Sequence, residues 1–192
     1  YFNMGNTYFE LKDFKNAQAY LTKALQIEPK HEPALGNLAV VYRNLGEIER
    51  SLRYYNKAIK IKPKNPENYY NKAISLNELG QTDKAEKNYR KAISIDPKHI
   101  GSHHNLALIY EQRGQIKEAL KIVKKVLQFD TNHPKLNHAI GLITLKLGNF
   151  KEGWSYYEYR WKTSPFNKVI WPFQDKPLWQ GERGKRVALW RE

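Results

Sequence analysis

The 192-residue sequence has no cysteine, one methionine and no long apolar run. Without cysteine, neither a disulfide framework nor a thiolate zinc site can form, and a reducing compartment fits that absence. No apolar run approaches the ~20 residues of a membrane-spanning helix. The first residues, Tyr1 to Gly5, lack the basic start and apolar stretch of a secretory signal. We therefore expect no membrane span and a cytoplasmic location.

Acidic residues are outnumbered by basic ones, 19 against 33, which gives a formal charge of +14. Residues 1–133 hold 22 basic and 14 acidic side chains, and residues 134–192 hold 11 and 5. A nucleic-acid-binding chain is expected to concentrate its charge on one face. The even spread along the chain therefore predicts no specific nucleic-acid partner.

Four residue types recur at an interval of 34 positions. The four sets are Pro29, Pro63 and Pro97; Gly46, Gly80, Gly114 and Gly148; Ala24, Ala58 and Ala92; and Asn3, Asn37, Asn71 and Asn105. Such periodicity is the signature of a repeat architecture. We name the last set, Asn3, Asn37, Asn71 and Asn105, the asparagine ladder.

Each period is predicted to form two helices. In the third period, Asn65 and Pro66 have the character of a helix start, and Gly80 suits the left-handed residue that ends a helix. Thr82 or Asp83 is expected to cap the second helix through a side-chain oxygen, and Pro97 to stop it.

These columns resemble the tetratricopeptide repeat (TPR) family, whose small, aromatic and proline positions appear as Met4-Gly5, Tyr8, Ala17, Leu21, Ala24 and Pro29. The resemblance implies an all-α, right-handed superhelix of 34-residue helix-turn-helix units. It covers residues 1–162, as about five repeats with bounds 1–31, 32–65, 66–99, 100–133 and 134–162. The first repeat departs from it, with Lys12-Asp13 where the other turns have glycine.

The resemblance places the asparagine ladder on a concave groove lined by the first helix of each pair. An asparagine can bond both C=O and N–H of an extended polypeptide, so we predict a polypeptide or protein partner there. The alternative is that each asparagine bonds its own neighbouring helix. The predicted peptide-binding residues are Asn3, Asn6, Asn37, Arg43, Tyr70, Asn71, Asn77, Glu78, His104, Asn105, Glu111 and His138.

Other chemical signals are weaker. His99 and His103 are four residues apart, a spacing that can bind a metal, but no carboxylate completes a closed site. Lysine columns, such as Lys23, Lys57 and Lys91, fit a solvated face better than a phosphate-binding one. No catalytic motif is present, so we predict no catalytic residue, no cofactor and no metal in this chain.

The C-terminal part has a different character. Residues 163–192 are rich in proline and aromatics and are expected to form an irregular strap, followed by a strand at Val187–Trp190 that starts a further, truncated domain. The ordered motifs of residues 148–192 resemble the junction between such repeats and a GT-B, heptosyltransferase-like glycosyltransferase in bacterial proteins. The alternative function is thus part of a TPR-containing glycosyltransferase whose repeats scaffold or recruit its acceptor.

Residue 1 falls inside a repeat, so we expect further sequence upstream. Terminal repeats normally carry a polar cap, and the first repeat here lacks one. Self-association through its exposed end is therefore a third hypothesis.

Overall fold

A computed structural model describes residues 1–162 as α-helices and one 3-10 helix joined by short turns. The helices are α1 (Phe2–Glu10), α2 (Phe14–Ile27), α3 (Glu32–Asn44), α4 (Ile48–Ile61), α5 (Pro66–Glu78), α6 (Thr82–Ile95), α7 (Ile100–Gln112), α8 (Ile116–Leu127), α9 (Pro134–Lys146) and α10 (Phe150–Tyr157), and the 3-10 helix is Glu158–Lys162. Among these residues no helix has the length and apolar character to cross a membrane. The predicted strap and strand lie outside the described residues.

The predicted all-α repeat fold is confirmed, since helices of similar length follow each other in pairs at the 34-residue interval. The chain divides into two compact units, Tyr1–Leu106 and a second that begins at Ala107. In the first unit, α1 packs on α2, α3 on α4 and α5 on α6. The second helices α2 and α4 also contact the first helix of the next pair.

Small residues line the contact within each pair. On the second helix, Ala17, Ser51 and Ala85 are fully buried, and on the first helix Ala39 and Ala73 are too. At Gly5 in the first repeat, an added Cβ would lie 2.7 Å from Leu21 Cγ. At Gly5 there is thus no room for a larger side chain, and the burial of the other small residues is consistent with a close approach of the helices.

Each first helix after α1 is capped by a side chain at the equivalent position of its period. His31 Nδ1 accepts from Ala34 N at 3.1 Å, Asn65 Oδ1 from Glu67 N at 3.1 Å, His99 Nδ1 from Ser102 N at 3.1 Å and His133 Nδ1 from Leu136 N at 3.4 Å. The helix start predicted at Asn65 and Pro66 is confirmed, since α5 begins at Pro66. The histidine caps were not predicted, because histidine is not among the usual capping residues.

His99 uses both of its ring nitrogens. Besides the cap at Nδ1, its Nε2 lies 3.0 Å from Glu67 Oε1, and its ring packs on Tyr70 with centroids 4.9 Å apart. His103 Nε2 lies 3.0 Å from the carbonyl oxygen of Pro97. Structural contacts thus account for the spacing of these two histidines.

The turn inside each pair requires a left-handed residue. Gly46, Gly80, Gly114 and Gly148 have φ between 71° and 80°, and Lys12 takes φ 60° at the equivalent position. The predicted end of the helix at Gly80 is confirmed. The predicted cap at Thr82 or Asp83 is wrong, because Gln81 is the capping residue and has no side-chain cap bond. Thr82 instead lies within hydrogen-bonding distance of Asn77 Oδ1, at 3.5 Å.

We predict that Lys12→Gly raises the free energy of unfolding by about 0.5–1 kcal/mol. Relief of the left-handed strain, ~1–2 kcal/mol for an L-residue, outweighs the added freedom of glycine in the unfolded chain. The Lys12 side chain is exposed, so little packing is lost. Thermal unfolding followed by circular dichroism measures the change.

The matched control is Gly80→Ala. A Cβ at Gly80 would meet nothing within 4 Å, so the substitution tests backbone strain alone and should lower the unfolding free energy by about 1 kcal/mol. Equal melting temperatures for Lys12→Gly and the parent protein would contradict the assignment of strain to Lys12.

Candidate functional site

The asparagine ladder lies on one face of the first helices, which we call the first-helix face. Asn3 is on α1, Asn37 on α3, Asn71 on α5 and Asn105 on α7. All four belong to the first compact unit, in which α1 contacts α3 and α3 contacts α5. Asn3 is exposed and the other three are half-buried, so none of the four is fully enclosed in the core.

Two of the predicted residues bond each other across a repeat boundary. Asn37 Nδ2 donates to Asn6 Oδ1 at 2.8 Å. This bond leaves Asn37 Oδ1 as an acceptor and Asn6 Nδ2 as a donor for a further group. The pair therefore presents one group of each kind, which is the complement of a peptide unit.

Asn105 is held by a tyrosine of the core. Its Nδ2 donates to Tyr89 Oη at 3.2 Å, and its Oδ1 lies 3.3 Å from His104 Nδ1. Tyr89 is only 2% exposed. Asn105 therefore satisfies a buried hydroxyl, which is the structural alternative raised for the ladder.

Asn71 differs from Asn105 although both stand in the same column. Tyr55 and Asn71 occupy the positions of Tyr89 and Asn105 one repeat earlier, yet the Tyr55 hydroxyl is buried without a hydrogen-bond partner among the described residues. The Asn71 side chain also bonds no group there, and only its backbone oxygen accepts, from Ser75 Oγ at 3.3 Å. Asn71 thus keeps its full capacity for a ligand.

Charged and polar side chains flank this part of the face. Arg43 Nη1 lies 3.9 Å from Glu78 Oε1, and the two side chains are 19% and 45% exposed. At this distance and exposure the pair is weak, so both charges stay available. Tyr70 lies over the backbone of α7, where a Cβ at Gly101 would come within 2.9 Å of its ring.

Two of the predicted residues belong to the second unit. Glu111 forms an ion pair with Lys146. The His138 ring packs on Tyr157 with centroids 5.3 Å apart, and burial together with the Arg160 charge lowers the pKa of His138. Both residues already have partners of their own.

The residues missed by sequence reasoning are Tyr55 and Tyr89, which the sequence analysis did not link to the ladder. Burial raises the pKa of Tyr89 to about 12, and burial also raises the pKa of Tyr55. Each tyrosine precedes its asparagine, Asn71 or Asn105, by the same distance along the sequence. This constant offset is the signal that could have linked the tyrosines to the ladder.

These tyrosines predict a loss of stability at alkaline pH. A tyrosine with a raised folded-state pKa keeps its proton while the unfolded chain loses one above pH ~10, so the unfolding free energy falls as pH rises. The unfolding free energy should fall by about 1.4 kcal/mol per pH unit for each such tyrosine. Urea unfolding between pH ~9 and ~11 measures it.

Tyr55→Phe isolates one of these groups. Because the Tyr55 hydroxyl is unpaired among the described residues, its removal should leave stability at neutral pH unchanged or raised, and the alkaline slope should become shallower. Tyr89→Phe is the comparison, since it also removes the bond from Asn105. An alkaline slope unchanged by Tyr55→Phe would contradict the raised pKa.

Two models of one protein family, both described as "Tetratricopeptide repeat", match residues 8–75 and 66–132. Many solved structures share the fold. "Crystal structure of MamA" is 19% identical, with a TM-score of 0.70 over 84% of this chain and 95% of that chain. The Pseudomonas aeruginosa pilF structure is 23% identical, with a TM-score of 0.75 over 82% of this chain and 72% of that one.

A third similar structure is described as "YrrB: a TPR protein with an unusual peptide-binding site". It is 18% identical, with a TM-score of 0.62 over 85% of this chain and 84% of that chain. At these identities the likeness concerns the fold alone. No curated protein matches the chain.

Proposed function

This chain belongs to the tetratricopeptide repeat family, and we propose that it is a protein-interaction module that binds an extended polypeptide on its first-helix face. Proteins of this family generally mediate protein–protein interaction, and the similar YrrB structure is described as having a peptide-binding site. The proposal assigns that role to the asparagine ladder and its neighbours.

The observation that carries the proposal is the uncommitted amide of Asn71. It lies at the centre of the ladder, half-buried, and the equivalent amide of Asn105 shows that a bond to the neighbouring tyrosine is the alternative use of this position. An amide that forgoes an internal bond keeps two donors and one acceptor oxygen for a ligand. These groups complement the C=O and N–H of a peptide backbone.

The surroundings of Asn71 suit a polypeptide better than a small charged ligand. Ile74 on the same helix and Val40 on α3 are half-buried apolar side chains, and Asn77 is exposed. Arg43 and Glu78 add one charge of each sign. Such a mixture favours backbone hydrogen bonds with modest side-chain selectivity.

We predict that a photo-crosslinking residue at Ile74 captures a polypeptide, and that Asn71→Ala reduces the capture by about fivefold or more. The estimate corresponds to the loss of roughly one or two backbone hydrogen bonds. Capture should persist in about 1 M salt, because hydrogen bonds are not screened as exposed charges are. Gel shift and mass spectrometry of the captured segment provide the measurement.

The matched control is Asn56→Ala, which removes an exposed asparagine from the second helix α4 and should change nothing. Asn71→Ala should have the same melting temperature as the parent protein. Asn105→Ala should have a lower melting temperature, because the Tyr89 hydroxyl loses its hydrogen-bond partner. Capture that is insensitive to Asn71→Ala but abolished by salt would reject the ladder as the binding element.

The second candidate is a segment of a TPR-containing glycosyltransferase, favoured by the ordered motifs of residues 148–192. In that reading the repeats scaffold the catalytic domain or recruit its acceptor. The coding sequence beyond Glu192 tests whether this chain is part of such a glycosyltransferase. A glycine-rich turn followed by a Rossmann pattern would support the glycosyltransferase, and a stop codon would remove it.

A further inference from the structure

The charges of the first unit are divided between the two helices of each pair. The first helices α1, α3 and α5 carry two basic and four acidic residues, whereas the second helices α2, α4 and α6 carry ten basic and three acidic residues. The net charge is therefore −2 on one set and +7 on the other. Counting along the chain conceals this division, because the two sets alternate.

The basic residues of the second helices form stripes. Arg53 and Lys57 on α4 are four residues apart, as are Lys87 and Lys91 on α6, so each pair lies on one face of its helix. All four are exposed, and none has a carboxylate partner in the part of the chain that the structure describes. Lys23 occupies the same position on α2 as Lys57 does on α4, one period earlier.

Each stripe ends in an apolar residue on the same face. Ile27 follows Lys23 by four residues and is 73% exposed, and Ile61 follows Lys57 by four residues and is 40% exposed. Ile95 follows Lys91 in the same way and is half-buried. The same combination of a cation and an apolar side chain thus recurs at the ends of three successive second helices.

The second unit repeats this arrangement within itself. On α8, Lys117, Lys121 and Lys125 are exposed at four-residue intervals. Phe129 follows Lys125 by four residues and is 49% exposed. A basic stripe that ends in an exposed apolar residue is therefore a property of the repeat, found again outside the first unit.

We propose that the second-helix face, meaning the exposed side of α2, α4 and α6, docks on an anionic lipid surface. Each lysine near such a surface contributes electrostatic attraction. The isoleucine side chains at the ends of the basic stripes can enter the boundary between headgroups and acyl chains. The association is peripheral and needs no membrane-spanning helix.

Two observations favour lipid over nucleic acid. The rings of Tyr20 and Tyr54 are already stacked on Tyr8 and Tyr42, with centroids 5.2 Å apart in both cases, so they offer little platform for bases. The exposed isoleucines also have no role against a phosphate backbone. Both features suit a surface that is charged outside and apolar beneath.

This proposal does not rest on the peptide-binding proposal, because the two use different helices of each pair. The failure of one therefore leaves the other standing. In the lipid experiment, Asn71→Ala should bind vesicles as the parent protein does.

The test is co-sedimentation with vesicles of phosphatidylcholine alone and with about a third phosphatidylglycerol, in about 0.1 M salt where the Debye length is ~10 Å. Binding is expected only to the anionic vesicles. Lys57→Gln with Lys91→Gln should reduce the partition coefficient about 30-fold, as the loss of two lysines near the surface implies. Lys12→Gln with Lys135→Gln removes the same charge from other exposed sites and should reduce it by less than about threefold.

The contribution of the exposed isoleucines is tested by the double variant Ile27→Ser with Ile61→Ser, which should weaken vesicle binding about tenfold. The same variant should bind single-stranded DNA and poly-glutamate as the parent protein does. Three outcomes would overturn the proposal: no binding to anionic vesicles, an equal loss of vesicle binding in the lysine control, or vesicle binding that Ile27→Ser with Ile61→Ser leaves unchanged while a soluble polyanion is bound more tightly than the anionic vesicles.

Discussion

The close approach of the two helices in each pair is the constraint on which the rest of the structure depends. Small residues meet at this contact, and in the last described pair a Cβ at Gly141 would lie 2.5 Å from the backbone nitrogen of Tyr157. Because the pairs are this tight, tyrosines of the second helix fill the space toward the next pair. Tyr89 reaches Asn105 by this route, so the packing of the core decides which amides of the ladder remain free.

The helices and their turns could be predicted because local chemistry determines them. Asn65 and Gly80 act at the helix end where they stand, and their roles follow from one or two neighbouring residues. The difference between Asn71 and Asn105 could not be predicted in this way. It depends on contacts with Tyr55 and Tyr89 of the preceding helix, and identical residues in one column give no sign of it. The cap expected at Thr82 or Asp83 is wrong because the helix begins at Thr82, which leaves the N-cap position to Gln81.

Charge is the property for which the sequence alone was least informative. An even distribution of charge along the chain predicted no concentrated surface. In a two-helix repeat, however, first-helix and second-helix segments alternate along the sequence, so the charges of the two surfaces are interleaved. Charges therefore have to be counted by helix, and the structure supplies the helix bounds that make this count meaningful. The first-helix face is then slightly acidic and amide-rich, while the second-helix face is basic. The two proposals therefore concern surfaces of different chemistry on one array.

The described residues of the glycosyltransferase-like motifs make packing contacts within the last repeat. Gly153 packs against Leu145, where a Cβ would lie 2.7 Å from Leu145 Cγ. The Arg160 guanidinium lies 4.5 Å from the Tyr157 ring centroid and 4.3 Å from that of Trp161. Glu158 accepts a bond from Arg160 and another from Trp161, each at 3.0 Å.

These contacts hold the 3-10 helix, which packs on α9. The motif residues up to Trp161 therefore have a structural explanation that is independent of any catalytic domain. The rest of the resemblance falls on residues 163–192, which lie outside the described residues. The two helix faces carry side chains such as Asn71, Lys87 and Lys91 that have no hydrogen-bond or ion-pair partner among the described residues, and the two proposals rest on such groups.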